Sequence, residues 1–226
     1  MTFRNTLYYP KIGTRLLLFV LLLGIVPGVS AQDAKRFQSQ VDAILKRSEK
    51  YDKEDLVIFT GSSSIRRWES LQSTFPGYNV VNHGFGGSKM EDLLFYIDEL
   101  ILRHDPVKLF IYEGDNDTNA RMSPTEIIHT ASEVLMQVRS KYPTIPIYFL
   151  AAKPSIKRWP LREKYRAFNK KLENWTKEHE NTYFIDVWTP MVENGDVKRD
   201  LFIEDGVHLN SAGYQVWSDV IGPLVK

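Results

Sequence analysis

Four short clusters of polar residues and glycines stand out in the 226-residue sequence. They are Gly61-Ser62-Ser63-Ser64, Asn82-His83-Gly84-Phe85-Gly86-Gly87-Ser88, Glu113-Gly114-Asp115-Asn116-Asp117 and Asp205-Gly206-Val207-His208. Together they hold serines in a tight turn, glycine amides, a neutral side-chain amide and an Asp–His pair. Acyl transfer through a serine nucleophile requires these groups.

Asp205 and His208 have the residue types and spacing of a general base with its orienting carboxylate. A serine hydroxyl is a weak nucleophile, so a base must lie within about 3 Å to take its proton. Imidazole titrates near neutrality, and a carboxylate beside it holds one tautomer and stabilises the charge. Gly206 lets the chain turn tightly between the two side chains. His83 is the competing base, but no carboxylate closely precedes it, and His208 is therefore preferred.

The glycines of the second cluster and Asn116 offer hydrogen-bond donors for an oxyanion. The tetrahedral intermediate of acyl transfer carries a negative oxygen that needs preorganised N–H groups. Glycine amides are accessible because no Cβ blocks a close approach. The alternative for the first two clusters is a plain turn or a phosphate-binding loop. The glycines do not match Gly-x-Gly-x-x-Gly, and no phosphate-loop Lys-Ser pair follows them, which disfavours a phosphate site.

Short apolar runs and helical patterns alternate along the chain, which predicts a parallel sheet covered by helices on both faces. The expected strands are Leu56–Phe59, Tyr78–Val81, Val107–Tyr112, Ile145–Leu150 and Tyr183–Ile185. Helices are expected over Ala34–Tyr51, Ser88–Ile101, Ser123–Val138, Pro160–Trp175 and Ala212–Ile221, with capping boxes at Ser88/Glu91 and Ser123/Glu126. Ligands of such sheets bind beyond the carboxyl ends of the strands, and the first three clusters stand there.

Composition and charge exclude several classes of protein. The chain is 43% hydrophobic and 25% charged, which is typical of a globular domain. It has no Cys, so thiol catalysis, Cys-ligated zinc and iron–sulfur clusters are excluded. The formal charge is +1, and the three basic residues among the first 31 leave −2 on the remainder, which gives no electrostatic case for nucleic acid.

Residues 115–126 resemble a calcium-binding loop, with Glu126 at the twelfth position. Ala120, however, stands where the turn requires a glycine, a strand rather than a helix precedes the loop, and Glu126 is explained as a helix cap. Calcium is therefore not expected here, and acyl transfer through a serine is expected to proceed without metal or cofactor.

Residues 1–31 have the pattern of a secretory signal peptide. Basic residues precede an apolar run, Leu16–Val26, which Pro27 and Gly28 break before small residues that suit cleavage. The run is shorter than the roughly 20 residues of a membrane span, and the alternative is an uncleaved signal anchor. The sequence predicts an exported, periplasmic or secreted protein with one mature domain over 32–226 and no stable membrane span after cleavage.

The four clusters, in this order, resemble the sequence blocks of the SGNH hydrolases, also called the GDSL esterase/lipase superfamily. The resemblance covers essentially all of residues 32–226 and implies a flavodoxin-like, three-layer α/β/α sandwich with a Ser–His–Asp triad. Matched by motif, Ser63 corresponds to the nucleophile, with Asp205 and His208 as its partners. The oxyanion donors correspond to Ser63, Gly87 and Asn116.

The first cluster departs from the family pattern. The family's Gly-Asp-Ser reads Gly61-Ser62-Ser63 here, so a serine replaces the acid and three serines stand in a row. Counting from Gly61 favours Ser63 as the nucleophile. The loss of the carboxylate also removes a local hydrogen-bond acceptor, so other contacts must hold the loop.

The resemblance implies an esterase that works through an acyl-enzyme intermediate. No large apolar insertion that would form a lid is seen in the sequence, so short acyl groups are expected, with acetylated carbohydrate first. Phe85 and Trp159 are expected to line the substrate pocket, whereas Lys153 and Arg158, in the same loop as Trp159, also fit a solvated surface loop. The alternatives are a catalytically silent carbohydrate-binding module, a lysophospholipase or thioesterase, and an acyltransferase with the same triad.

Overall fold

The computed structural model describes Met1 and residues 35–226, so the predicted signal peptide lies outside the described residues. Five strands form one parallel sheet: β1 Val57–Gly61, β2 Val80–Gly84, β3 Lys108–Tyr112, β4 Ile147–Leu150 and β5 Thr182–Ile185. Their order is β2-β1-β3-β4-β5. The order reverses between β1 and β3, and the loops after these strands therefore border the crevice in which such sheets bind ligands.

Helices connect the strands. They are α1 Gln38–Ser48, α2 Ser63–Arg66, α3 Leu71–Thr74, α4 Met90–Phe95, α5 Asp115–Asn119, α6 Pro124–Lys141, α7 Arg162–Lys177 and α8 Ser211–Val225. A π-helical turn spans Asp98–Leu102, and a small antiparallel hairpin pairs β6 Val192–Glu193 with β7 Asp196–Val197. Within residues 35–226 no helix has the length and apolar character needed to cross a bilayer.

A row of aromatic rings crosses one face of the sheet and fixes its register. Phe59, Phe110, Tyr148 and Tyr183 are cross-strand partners on β1, β3, β4 and β5. Their successive ring centroids are 4.3, 4.7 and 5.1 Å apart. A slip of one residue would turn each ring to the opposite face. The row therefore keeps the carboxyl ends of β1 and β3 level, where the loops with Ser63 and Asn116 begin.

The five-stranded parallel sheet is confirmed, although β2 spans Val80–Gly84 rather than the expected Tyr78–Val81. The start and the cap of one expected helix are wrong. The Ser123/Glu126 capping box forms, with N···O distances of 2.7 and 3.3 Å. Ser88 does not cap a helix, because its hydroxyl bonds to the interior instead, and α4 begins only at Met90. The Asp92 carboxylate accepts the backbone N–H of Lys89 at 2.8 Å and performs the capping expected of Glu91.

Gly61→Ala is expected to lower the free energy of unfolding by about 3 kcal/mol or more. Gly61 has φ of +121°, and a Cβ there would lie 2.1 Å from the carbonyl oxygen of Tyr112 on β3. Gly195→Ala is the matched control, since φ is +81° but nothing lies within 4 Å of its Cβ position; it should cost only about 1 kcal/mol. Urea unfolding measures both, and equal losses would contradict a steric role for the Gly61 contact.

Candidate active site

His208 joins Ser63 and Asp205 in one hydrogen-bonded row. Its Nε2 lies 2.9 Å from Ser63 Oγ, and its Nδ1 lies 2.6 Å from Asp205 Oδ2. Ser63 is the first residue of α2, shortly after the end of β1 in sequence. His208 lies just before α8, 145 positions further along the chain. With Nδ1–H donating to the carboxylate, Nε2 is free to accept the serine proton.

A tight turn presents Asp205 to the imidazole. Its Oδ1 accepts the backbone N–H of Val207 at 2.8 Å and of His208 at 2.9 Å, and Gly206 adopts φ of +66°. The Lys157 N–H donates to the Gly206 carbonyl at 3.0 Å, so the loop after β4 supports this turn. Although burial acts to raise it, the hydrogen bonds from His208 and the backbone hold the pKa of Asp205 well below its ordinary value. The carboxylate therefore stays ionised.

The surroundings of the three consecutive serines distinguish Ser63 from its neighbours. Ser62 and Ser64 are each 1% exposed, whereas Ser63 is partly exposed and contacts the imidazole. The Ser62 hydroxyl, at the position where the family has an acid, is buried and finds no hydrogen-bond partner within residues 35–226. Among these three serines, Ser63 is the residue whose hydroxyl contacts a base and whose side chain reaches solvent.

Three N–H donors lie on the loops after β1, β2 and β3, which border this crevice. The backbone N–H groups of Ser63 and Gly87 take part in no hydrogen bond among the described residues. Gly87 is exposed, in a turn with φ of +80°. The Asn116 side chain donates one N–H to the Ser88 carbonyl at 2.8 Å, which ties the third loop to the second and leaves its other N–H. Free, oriented donors of this kind suit an oxyanion.

Two buried acids hold these donor loops in place. Glu113 Oε1 lies 2.5 Å from the Ser88 hydroxyl, and that hydroxyl lies 3.2 Å from the Phe85 carbonyl. Burial raises the pKa of Glu113 well above its ordinary value, so the neutral acid is favoured. Asp117 accepts the backbone N–H groups of Met90 at 3.0 Å and Gly114 at 3.1 Å, and burial raises its pKa to about 6.

Glu113→Gln is expected to remove a source of instability at alkaline pH. A raised pKa stabilises the fold at low pH, and this contribution is lost as the pH rises from the ordinary value of 4.5 toward the raised one. Glutamine keeps a side-chain oxygen that can accept from the Ser88 hydroxyl, but it does not titrate. Melting temperatures from about pH 5 to about pH 9 should fall more steeply for the wild type than for this variant.

Glu113→Ala is the companion variant, because it removes the hydrogen-bond partner of the Ser88 hydroxyl as well as the titrating group. It should lower kcat by about 10-fold as the Gly87 loop loosens, whereas Glu113→Gln should stay within about threefold of the wild type. This role for the acid would be contradicted if the melting temperatures of the wild type and Glu113→Gln fell equally with pH. It would also be contradicted if Glu113→Ala and Glu113→Gln had equal activities.

One expected pocket residue lies elsewhere. Phe85 is 0% exposed and packs edge-on against Phe37 of the chain segment before α1, with ring centroids 5.2 Å apart. Its expected place in a substrate pocket is wrong, since its ring is covered. Trp159 is partly exposed, stacks on Trp188 at 5.9 Å and has the Arg162 guanidinium 5.6 Å from its centroid.

The competing base is buried away from the serine row. His83 lies within β2, with Nδ1 2.7 Å from the Leu100 carbonyl and Nε2 3.2 Å from the Ser48 hydroxyl. Burial lowers its pKa to about 3.

The loop after β4 is the part of the site that sequence reasoning missed. Lys153 is 0% exposed and Arg158 is partly buried, so a surface loop with solvated charges is the wrong interpretation. Both side chains bond to Asp115, next to Asn116. The available signal was the presence of three acids in the third cluster, because a buried carboxylate among them requires a cationic partner from elsewhere in the chain.

Comparison with known proteins identifies the family. The model of the GDSL-like lipase/acylhydrolase family matches residues 28–216, which include all four clusters. The chain belongs to the GDSL-like lipase/acylhydrolase family. The family consists of lipases and acylhydrolases, and membership in it assigns this protein to the ester hydrolases. Comparison with curated proteins by sequence found no match.

Solved structures share the fold of this GDSL-like acylhydrolase. A Streptococcus pneumonia protein, provisionally described as a platelet activating factor, matches with a TM-score of 0.77 at 21% identity, over 85% of this chain and 94% of the other. A GDSL-like lipase from Bacteroides thetaiotaomicron gives 0.69 at 17% identity, over 85% and 97%. A family 3 carbohydrate esterase from Clostridium thermocellum gives 0.59 at 14% identity, over 75% and 96%. At such identities these matches concern the fold alone.

Proposed function

We propose that this acylhydrolase is an exported serine esterase that removes short acyl groups, acetyl first, from carbohydrate esters. The observation that carries the proposal is the row of hydrogen bonds from Ser63 through His208 to Asp205, at 2.9 and 2.6 Å. Such a row has a chemical use in activating a hydroxyl, whereas binding alone needs no general base. This difference favours an esterase over a silent carbohydrate-binding module.

The proposed reaction has two halves. In the first, Ser63 Oγ attacks the ester carbonyl while its proton passes to His208 Nε2, and the oxyanion accepts the N–H groups of Ser63, Gly87 and Asn116. The intermediate collapses, His208 protonates the departing alkoxide, and an acyl-serine ester remains. In the second half, His208 takes a proton from water, the hydroxide attacks the acyl carbon, and Ser63 leaves with the proton returned from His208. Asp205 stabilises the imidazolium in both halves.

The substrate class is supported by the proteins that share the fold. They include the family 3 carbohydrate esterase of Clostridium thermocellum, another from Talaromyces cellulolyticus, and an acetyl esterase variant bound to acetate. An acyltransferase, a thioesterase or a lysophospholipase would need the same Ser63, Asp205 and His208, so substrates and products must separate these activities.

The deciding experiment is a substrate screen of the purified protein. p-Nitrophenyl esters of increasing chain length, acetylated oligosaccharides, acyl thioesters and lysophospholipids are compared by kcat/KM, with a fluorophosphonate probe as a test for the nucleophile. The proposal expects labelling and the highest values for acetyl esters of carbohydrates. No labelling would favour the binding module, and acylated products with sugar acceptors would favour an acyltransferase.

Export is proposed from residues 1–31, which have a basic segment, an apolar run and small residues before position 32. Expression in a bacterial host followed by fractionation should give a periplasmic or secreted protein whose first residue lies near Gln32. A full-length chain retained in the membrane fraction would instead indicate the signal anchor.

A further inference from the structure

A single buried carboxylate lies at the centre of the cluster beneath Asn116. Asp115 accepts hydrogen bonds from the hydroxyls of Tyr112 and Tyr165, each at 2.9 Å. It also accepts Arg158 Nη1 at 2.5 Å and Lys153 Nζ at 3.3 Å. Burial acts to raise its pKa, but the two cations hold the pKa well below its ordinary value. The carboxylate is therefore ionised, and two cationic side chains face it.

Arg158 extends from this cluster to the oxyanion donor. Its Nη1 is bound to Asp115, and its Nη2 donates to Asn116 Oδ1 at 3.0 Å. The guanidinium side chain is 16% exposed, so its contact with the Asn116 amide is largely shielded from water. A charge-assisted hydrogen bond in such a place is stronger than one at the surface.

This contact fixes which way the Asn116 amide points. Its oxygen faces the Arg158 donor, and its nitrogen donates to the Ser88 carbonyl at 2.8 Å. A flipped amide would set its NH₂ group against the guanidinium and its oxygen against the carbonyl, which loses both hydrogen bonds. The cation at the amide oxygen also withdraws electron density from the nitrogen, and the remaining N–H becomes a better donor.

We infer that Arg158 is a positioning residue that orients and polarises the Asn116 amide for the oxyanion, with Asp115 as its anchor. The inference rests on the proposed function, because Asn116 acts on an oxyanion only if acyl transfer occurs at Ser63. Arg158 suits the role better than a lysine, since its planar fork reaches two acceptors through separate nitrogens.

The test measures kcat and KM of Arg158→Ala and Arg158→Lys on p-nitrophenyl acetate. Loss of one oxyanion donor costs about 10²–10³ in rate, and loss of its orientation should cost a part of that. We expect Arg158→Ala to lower kcat by about 30-fold and Arg158→Lys by about 5-fold, with KM within about twofold. Lys164→Ala, which removes an exposed cation near the start of α7, is the matched control and should equal the wild type.

A double-variant cycle separates this role from a general effect on the fold. In an Asn116→Ala background, Arg158→Ala should lower kcat by no more than about threefold further, because the amide it acts on is gone. Added guanidine should restore part of the activity of Arg158→Ala but none of that of Asn116→Ala/Arg158→Ala. If Arg158→Ala does not fold, Arg158→Lys is carried through the same cycle.

The outcomes distinguish the two proposals. A kcat of Arg158→Ala equal to that of the wild type, or an equal loss in both backgrounds, overturns the inference and leaves the proposed esterase standing. A protein whose ester hydrolysis survives Ser63→Ala overturns the proposed function and this inference with it. A loss that is large when Asn116 is present and small in the Asn116→Ala background, with KM unchanged, supports both.

Discussion

Ser63→Ala is expected to lower kcat/KM for p-nitrophenyl acetate by about 10⁵-fold or more and to abolish labelling by a fluorophosphonate. The expectation follows from the 2.9 Å contact between Ser63 Oγ and His208 Nε2, because no other partly exposed hydroxyl in its cluster meets a base. Loss of the nucleophile in a Ser–His–Asp enzyme costs about 10⁶ in kcat, and the remaining rate comes from the oxyanion donors and binding.

Ser62→Ala is the matched control, one residue before Ser63. Its hydroxyl is buried without a partner among the described residues, so removing it costs no hydrogen bond. Activity should stay within about twofold of the wild type, and stability should be unchanged or slightly higher. Full activity of Ser63→Ala, or a comparable loss in Ser62→Ala, would assign the nucleophile elsewhere.

His208→Ala is expected to lower kcat by about 10⁴-fold or more, the second largest effect. Without the imidazole, nothing takes the proton of Ser63 or returns it to the leaving alcohol. Asp205→Asn should cost somewhat less, about 10²–10⁴-fold, because it leaves a base whose tautomer and charge are no longer stabilised. Steady-state kinetics on p-nitrophenyl acetate, with circular dichroism to check the fold, measure both.

His129→Ala serves as the control for the histidine variant. Its side chain is 78% exposed on α6, so its removal should leave kcat and KM unchanged. An active His208→Ala variant would show that the Ser63–His208 contact has no role in catalysis. The candidate base would then be one of the remaining histidines.

The roles of the third-cluster acids follow from their surroundings. Glu113, Asp115 and Asp117 are all buried within five residues of sequence, yet the pKa of Asp115 is lowered and those of the other two are raised. Asp115 faces two cations, whereas Glu113 has no cationic partner among the described residues and hydrogen-bonds to the Ser88 hydroxyl. Desolvation favours the neutral acid unless an opposite charge lies close by.

Local sequence patterns determined the approximate positions of the strands, most of the helices and the turn that carries Asp205 and His208. Alternation of apolar runs and helical periodicity reflects burial within one element, and the Ser123/Glu126 box closes within four residues. The Asp205–His208 hydrogen bond likewise spans three positions around Gly206, which adopts φ of +66°. Interactions of this range need no knowledge of the rest of the chain.

Only the tertiary structure decided which side chains meet across the sheet and which are covered. Ser63 and His208 are brought together over 145 positions because α8 packs beside α2, where the Tyr214 hydroxyl donates to the Ser64 carbonyl at 2.9 Å. Phe85 is buried because Phe37 lies on it, and Lys153 and Arg158 are drawn inward because the buried Asp115 needs opposite charge. Each outcome depends on a partner supplied by a distant element. The family motifs indicated the partner of Ser63, whereas residue type and spacing gave no sign of the partners of Phe85, Lys153 and Arg158.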